Sequence, residues 1–576
     1  MNKFGWAVLV VVGGAGCATT PKWAAATTMA EEKFPGRAEL QQVAIRAPKL
    51  DTAKHDAVAV DSWTLEGPFP SEATVTPVQP SNAWEKALQQ AAPAVGNALS
   101  VELQCISREV ARFLAARKSY PGNSLQAFIE RRCATTAPHI RLHSLSGEIP
   151  DSVSEAQWVK EWTDDLTKMA TAAGTPDVAG ISVRREGKHA VLVLAWADVG
   201  AHYAKPIPLV GTTGTVVVRG RLAKGGAERI SALINKGALE VESCKTLDAL
   251  QPPEFAFECP VSADDVRTTL EIASFQPGRI LGQMVTQQVL WPKGAPSNVW
   301  ERPKSAGEVP TGAFDGRFLS AVNALRTGAK LPPLTLSKPQ SDTAKLLAPH
   351  YFSASFGEGD ALDADRVALG MMAGWDVGVE IVSSGFGSEW LSGSRDLSVF
   401  IEFVLDSPYH RKSVTDPKAT LLAVGSVETA ASSLAAIFAT YVPLAKFDRK
   451  ESEIAIITRL NQMRIDRKLP LAQWTLWPED EGAVVEANLS ARRWDPNHAA
   501  RYALEKTAEV AKGRVTGYVQ LVDDLENFQF PPEVLMRPDI NVFLAVGVYR
   551  DEEWAQARYV VCFVLAQAGD IETASR

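Results

Sequence analysis

The sequence predicts a multidomain α+β protein, and three observations carry that prediction. At 576 residues the chain is too long to fold around one hydrophobic core. Helical and strand periodicities mix in two long stretches, and between them helix signals nearly vanish while short strands follow one another between Gly, Pro and Asp turns. Two distant segments also repeat one pattern in one order. Leu319 to Arg326 followed by Leu331-Pro332-Pro333-Leu334 is echoed by Ile456 to Arg464 followed by Leu469-Pro470-Leu471. Likewise, Asp416-Pro417 before Leu421 to Ser426 is echoed by Arg537-Pro538 before Phe543 to Val548. A period of about 120–140 residues indicates tandem domains, not solenoid units.

Composition narrows the class. An apolar fraction of 46% and a charged fraction of 22% are those of a globular chain. A net charge of −8 with no basic stripe and no interleaved aromatics argues against nucleic-acid binding.

Residues 1–17 read as a leader: Lys3, an apolar run from Phe4 to Val12, then Gly13-Gly14-Ala15-Gly16 before Cys17. The run is too short to span a bilayer as a helix, which leaves a signal peptide. Small residues directly ahead of a cysteine resemble a lipoprotein signal, in which Cys17 is lipidated and becomes the new N-terminus. Gly14 stands where a large aliphatic residue is usual, so ordinary secretory cleavage is the alternative. Ala18 is not the aspartate of an inner-membrane retention signal. The expected location is therefore the cell envelope, as an outer-membrane lipoprotein facing the periplasm or surface; the alternative is a secreted soluble protein. Residues 18–55, rich in Ala, Thr and Lys, read as a tether.

The cysteines fit an oxidising compartment. Cys105 with Cys133, and Cys244 with Cys259, fall within single segments and predict two local disulfides. Cys562 lies in a strand-like run and reads as a buried free thiol.

Residues 56–203 read as an α/β domain. It has a strand from Ala57 to Leu65, helices over Leu99–Lys118, Leu125–Arg132 and Trp158–Met169, and a hairpin from Val178 to Ala195. Residues 204–298 read as a small antiparallel β-sandwich closed by Cys244–Cys259, and 299–313 as a linker. In 314–446, a helix through Phe318, Val322 and Leu325 is expected to stop at Gly328, with a second helix over Asp342–Leu347. A helix from Leu397 to Leu405 is expected to stop at Ser407-Pro408, leaving His410 on a turn. Residues 451–570 repeat this order in degenerate form.

In this order, Asn323-x-x-Arg326, the Leu-Pro-Pro-Leu step, Ser407-Pro408-Tyr409-His410-Arg411 and Ala423-Val424-Gly425 resemble the CAP superfamily in its short bacterial SCP-like form. The resemblance covers residues 314–446 and implies an α-β-α sandwich with a cleft lined by two histidines and one or two glutamates. Residues 56–203 are a candidate divergent copy, with His143 and Gly147-Glu148-Ile149 near the glutamate element. Carried over by position, the resemblance matches His410 and Glu380 to the cleft, and puts Ala354 where the other histidine stands, four residues after His350. In the second copy no histidine stands where His410 stands, and His498 is isolated. Imidazole and carboxylate facing one cleft suit a divalent cation such as zinc when three or four donors converge, and two are too few for a tight site. The expected cofactor is therefore none, with Glu380 and His410 as weak candidates for zinc, and no catalytic residue is assigned. No nucleophile elbow, phosphate loop or His-Glu-x-x-His helix is present. The expected function is non-catalytic binding of an envelope protein, glycan or lipid, with membrane attachment through the lipid anchor. The alternatives are a metal-assisted hydrolase and an apolar-ligand or lipid-binding protein.

Overall fold

A computed structural model describes residues 57–474 and 515–567, with breaks at 68, 151, 249, 278, 280, 304–306, 311, 357–363, 392–393, 428–432, 445–446, 523 and 551–556. It also describes 7–11 and a few positions between 37 and 48. Cys17, most of the 18–55 tether and His498 lie outside the described residues. The architecture is multidomain α+β. Two compact units divide the chain: one holds residues 42–369 and 385–440, the other 1–41, 370–384 and 441–576.

The first unit begins with an α-β-α layer. Helix α1 (Ala83–Ala91) opens with a reciprocal capping box between Asn82 and Glu85. Helix α2 (Val101–Arg117) is capped by Ser100, and α3 (Asn123–Cys133) is stapled to it by Cys105–Cys133. Strand β1 (Arg141–Glu148), helix α4 (Glu155–Ala173) and the hairpin β2 (Val178–Glu186) and β3 (His189–Ala197) complete it. The antiparallel sheet runs β1-β3-β2, and Leu99 bridges Ala179 in parallel at the edge of β2.

Strand periodicity explains the layers. Along β3, Val191, Val193 and Ala195 pack with Leu103, Ile106 and Phe113 of α2, whereas Ala190, Leu192 and Leu194 join Trp84 of α1 and Trp158 and Leu166 of α4. Gly180 is required where β2 meets α2, because a Cβ there would lie 2.1 Å from the Leu103 carbonyl carbon. Helix α1 and strand β1 are absent from the sequence-based expectation. The expected strand Ala57–Leu65 is reduced to Ala57–Val58 and Ser62–Thr64.

The β-sandwich follows, built from β4 (Gly214–Leu222), β5 (Arg229–Lys236), β6 (Glu240–Ser243), β7 (Glu254–Val261), β8 (Thr268–Phe275) and β9 (Gln283–Leu290). One sheet places β7 and β4 between the short strands 245–246 and 201–203, and the other runs β6-β5-β8-β9. Val216, Val218, Phe255 and Phe257 face Ile234, Leu270 and Ile272 in the core, with Cys244–Cys259 beside them. Strand β5 is another element the sequence reading lacks. The 299–313 linker is partly ordered: Val299–Glu301 pairs with Ser62–Thr64, because Trp300 buries its ring there.

The second α-β-α segment contains α5 (Phe314–Gly328), β10 (Thr335–Leu336), α6 (Lys338–Phe356), α7 (Ala364–Ala373), β11 (Ile381–Leu391), α8 (Leu397–Asp406), α9 (Pro408–Thr415), β12 (Leu421–Val427) and β13 (Leu434–Pro443). Its sheet runs β10-β12-β13-β11, with β10 parallel to β12. In the other unit, α10 (Arg449–Asp466), β14 (Gln473–Trp474), β15 (Val515–Val522), β16 (Ile540–Arg550) and β17 (Ala557–Gln567) form the order β14-β16-β17-β15, again with the first pair parallel. The strand Ala7–Val11 pairs with the free edge of β15. Cys562 is a buried free thiol.

Helix α5 ends at Gly328, as expected; the left-handed residue is Lys330, at φ +61°, and the Leu331 amide returns to the Arg326 carbonyl. Two local expectations change. Pro349 does not stop α6, which runs on to Phe356. Ser407-Pro408 does end α8, but Ser407 then caps α9, with Pro408 at its first position. His410 is therefore in the first turn of a helix, not on a turn between elements.

The repeated Asn-x-x-Arg pattern has one physical role in both units. Arg326 is 0% exposed and donates to the carbonyls of Pro332 (2.7 Å), Val414 (2.9 Å), Asp416 (3.0 Å) and Ala419 (2.9 Å). Arg464, also 0% exposed, donates to the carbonyls of Pro470, Val534 and Pro538. Asn323 accepts from the Leu334 amide as Asn461 does from that of Ala472. The left-handed lysine recurs as Lys468, at φ +60°.

Arg326→Gln strands buried carbonyls and should lower unfolding free energy by about 3 kcal/mol or more. Lys330→Gly relieves the left-handed strain and should raise it by about 0.5 kcal/mol. Urea unfolding checks both, and equal effects of the two changes would contradict the clamp.

Candidate functional site at the start of α9

The stretch Asp406 to Arg411 bonds to the rest of its unit through every polar side chain except that of His410. Asp406, the last residue of α8, is 5% exposed. Its carboxylate accepts from Arg131 of α3 at 2.9 Å and from Arg267, just before β8, at 2.9 Å. Arg267 also reaches Glu402 at 3.0 Å. Asn235 of β5 donates to the carbonyls of Leu405 and Asp406.

Ser407 donates to Glu271 of β8 at 2.8 Å, in a buried contact. Burial pushes the Glu271 carboxyl up to about 7, against the hydrogen bonds from Ser407, Gln287 and the Tyr409 backbone. The Tyr409 hydroxyl lies 2.6 Å from that of Ser231, and burial pushes it up to about 12. Arg411 donates to Leu405 O at 2.6 Å and to Gly237 O at 3.3 Å.

His410 faces a different set. Its Nδ1 lies 4.0 Å from Glu389 Oε2 of β11, and its ring meets that of Phe438 at 6.2 Å and 77°. At 4.0 Å this is not a hydrogen bond, and Nδ1 has no hydrogen-bond partner. Glu389 Oε1 accepts the Trp390 amide at 3.3 Å. The two side chains are 26% and 18% exposed. Burial holds His410 down to about 4 and pushes Glu389 up to about 8. The nearby Asp406 and Glu271 add to the rise at Glu389. Around neutral pH the pair is a neutral imidazole beside a neutral carboxyl, an uncharged couple and not a salt bridge.

The carboxyl beside His410 is thus Glu389. Glu380, the position matched by resemblance, is exposed and precedes the first residue of β11. On the helix α6, His350 and Ala354 lie one turn apart on one face. His350 is fully buried, and its neighbours Tyr351 and Phe352 pack on Phe386 and Trp390 of β11 at 5.5 and 5.6 Å. Ser388 donates to the Tyr351 hydroxyl at 2.7 Å. In the first α-β-α segment, His143 of β1 packs edge-on against Trp196 at 4.8 Å.

Among the described residues no three His, Cys, Asp or Glu side chains stand together as a metal site. His410 with Glu389 offers two donors, so the set does not fit tetrahedral zinc. The reading of the sequence lacked Glu389, Glu271, Asn235 and Arg267. Their available signal was a charged or amide residue inside an otherwise strand-like apolar run. Among the described residues, no helix is long and apolar enough to cross a membrane.

Glu389 keeps its proton up to about 8 in the folded chain, against an ordinary value of 4.5. Its contribution to stability is full below the ordinary value and is lost as pH rises through about 8. His410 has the opposite sign: its contribution is present above 6.5 and is lost as pH falls toward about 4. Glu389→Gln should therefore flatten the fall of Tm as pH rises from about 4.5 to about 8. A Tm series across pH checks this, and an unchanged slope in that window would contradict it.

No family model and no curated protein matches the chain. Among solved structures, similarity is found to a cysteine-rich secretory protein from Staphylococcus aureus subsp. aureus Mu50. The identity is 11% and the TM-score 0.18, over 48% of this chain and 89% of that one. Na-ASP-1 is similar at 8% identity and a TM-score of 0.17, over 65% of this chain and 92% of that one.

Proposed function

We propose that the chain is a cell-envelope lipoprotein of CAP-like domains that acts by binding an envelope protein, glycan or lipid, not by catalysis. The observation that carries this reading is the employment of the Ser-Pro-Tyr-His-Arg element. Ser407, Tyr409 and Arg411 are spent on contacts to Glu271, Ser231 and Gly237 of the β-sandwich. Of the element's polar side chains only His410 makes no contact to the β-sandwich, and it stands beside a carboxyl whose burial favours the neutral form. A neutral imidazole can ligate a metal, but the carboxyl beside it must first lose its proton, and two donors without a third are too few for a tight site. The shared strand order supports counting the 56–203 segment as a third CAP-like copy alongside 314–446 and 451–570.

Zinc titration by calorimetry of wild type and His410→Ala tests the non-catalytic reading. The expected result is no stoichiometric binding tighter than about 1 μM. A tighter site that vanishes in the variant would replace this reading with a metal-assisted one. The envelope address is tested separately by fatty-acid labelling in cells, which should mark wild type and not Cys17→Ser; equal labelling of both removes the anchor.

A further inference from the structure

A cleft of about 310 Å³ opens between the turn at Gly237-Ala238, the loop 264–267 and the start of α9. That volume is at the small end of ligand sites. Its polar lining is unusual for what remains uncommitted. Arg411 uses Nε and Nη1 for carbonyls, and its Nη2 has no partner among the described residues. Asn235 gives its amide nitrogen to two carbonyls, while its buried Oδ1 accepts nothing. The Thr269 hydroxyl and the carboxylate of exposed Asp264 likewise have no partner among the described residues.

Asn235, Thr269 and Arg411 are 4%, 3% and 8% exposed as residues, and Asn235 Oδ1 is a buried acceptor with no partner. A buried acceptor without a partner costs free energy that a ligand recovers on filling it. Charge sets the kind of ligand. The lining carries both signs, Arg267 and Arg411 with Asp264, Asp265 and Asp406. Arg267 is paired with Asp406 and Glu402, and Asp265 accepts from the Gly237 amide, which leaves Arg411 Nη2 and the Asp264 carboxylate for a ligand to answer. A molecule carrying one charge would leave one of these two unanswered.

We propose that this cleft binds a small zwitterion, an amino acid or short peptide, with its carboxylate at Arg411 and its ammonium at Asp264. The site is separate from His410–Glu389, and its fate does not depend on the reading of that pair.

Calorimetric titration of the purified full chain with alanine, alanyl-alanine and alanyl-alanyl-alanine tests it, since the three span increasing charge separations. One of them should saturate a single site. Its C-terminal amide, which lacks the carboxylate, should bind at least about tenfold more weakly. Asp264→Asn should weaken the best zwitterion about tenfold with Tm unchanged, because Asp264 is exposed and holds nothing in the fold. The proposal is overturned if no zwitterion saturates by about 10 mM, if the amide binds as well as the acid, or if Asp264→Asn binds as well as wild type.

Discussion

A single buried carboxylate holds three segments of the first unit together. Asp406 ends α8, and its two oxygens take guanidiniums from α3 and from the edge of the β-sandwich. A carboxylate this buried is tolerable only when paired, and removing one partner from such an arrangement typically costs about 3–5 kcal/mol. The constraint is directional as well as energetic. With Asp406 pinned from two sides, the next residue has little freedom, and Ser407 leaves α8 in an extended conformation at φ −76° and ψ 117°. Pro408, with no amide hydrogen to satisfy, then starts α9 at once. The position of His410 therefore follows from an ion pair four residues upstream.

That dependence changes what the most recognisable stretch of the sequence does. Ser-Pro-Tyr-His-Arg looks in isolation like a turn aimed at a cleft. In the structure its side chains fasten two folded segments: Ser407 and the Tyr409 backbone answer Glu271, Tyr409 answers Ser231, and Arg411 answers Gly237. The β-sandwich is therefore a structural partner of the α9 motif and not a passive neighbour. His410 is excluded from that network and turned towards Glu389 and Phe438, in surroundings dry enough to keep both titratable groups neutral near pH 7.

What was legible in the sequence was local. Cys105–Cys133 and Cys244–Cys259 are close in sequence, the Val178–Ala195 hairpin is two β-rich runs around a polar turn with a glycine, and the Asn-x-x-Arg echo lies within one helix and its exit. What escaped needed a partner distant in the chain. Strand β5 reads weakly because its apolar centre, Ala232 to Ile234, is short and flanked by polar residues. Those flanks include Ser231 and Asn235, which are there to meet α8 and α9 from about 170 positions away in sequence, a separation no periodicity records. Glu389 escaped for the same reason: a lone acid in β11 gains meaning only when α9 delivers a histidine to it. Proline misled at Pro408, where the same chemistry that ends one helix begins another; the helix expected over Asp342–Leu347 runs through Pro349 to Phe356.

The two clamp arginines separate the part of the pattern that builds the fold from the part that decorates it. Arg326 and Arg464 each bury a guanidinium against the carbonyl just after the Leu-Pro step and against carbonyls that lead into the next strand. Each is preceded by an asparagine that ties the same step back to its helix, and each is followed by a lysine forced into the left-handed region. A guanidinium can satisfy several carbonyls at once from a fixed plane, which a lysine cannot, so the residue type is dictated by the backbone it collects. The carbonyls that Arg464 collects, Val534 and Pro538, come from a short 3₁₀ segment and the turn after it. Those that Arg326 collects, Val414 and Asp416, come from the end of α9. The same clamp thus closes two segments with different chemistry in front of the strand: one with a histidine-bearing helix, the other without. A closure indifferent to what lies in that space cannot be evidence for an active centre there. It accounts for a framework common to both segments, independent of the His410–Glu389 pair.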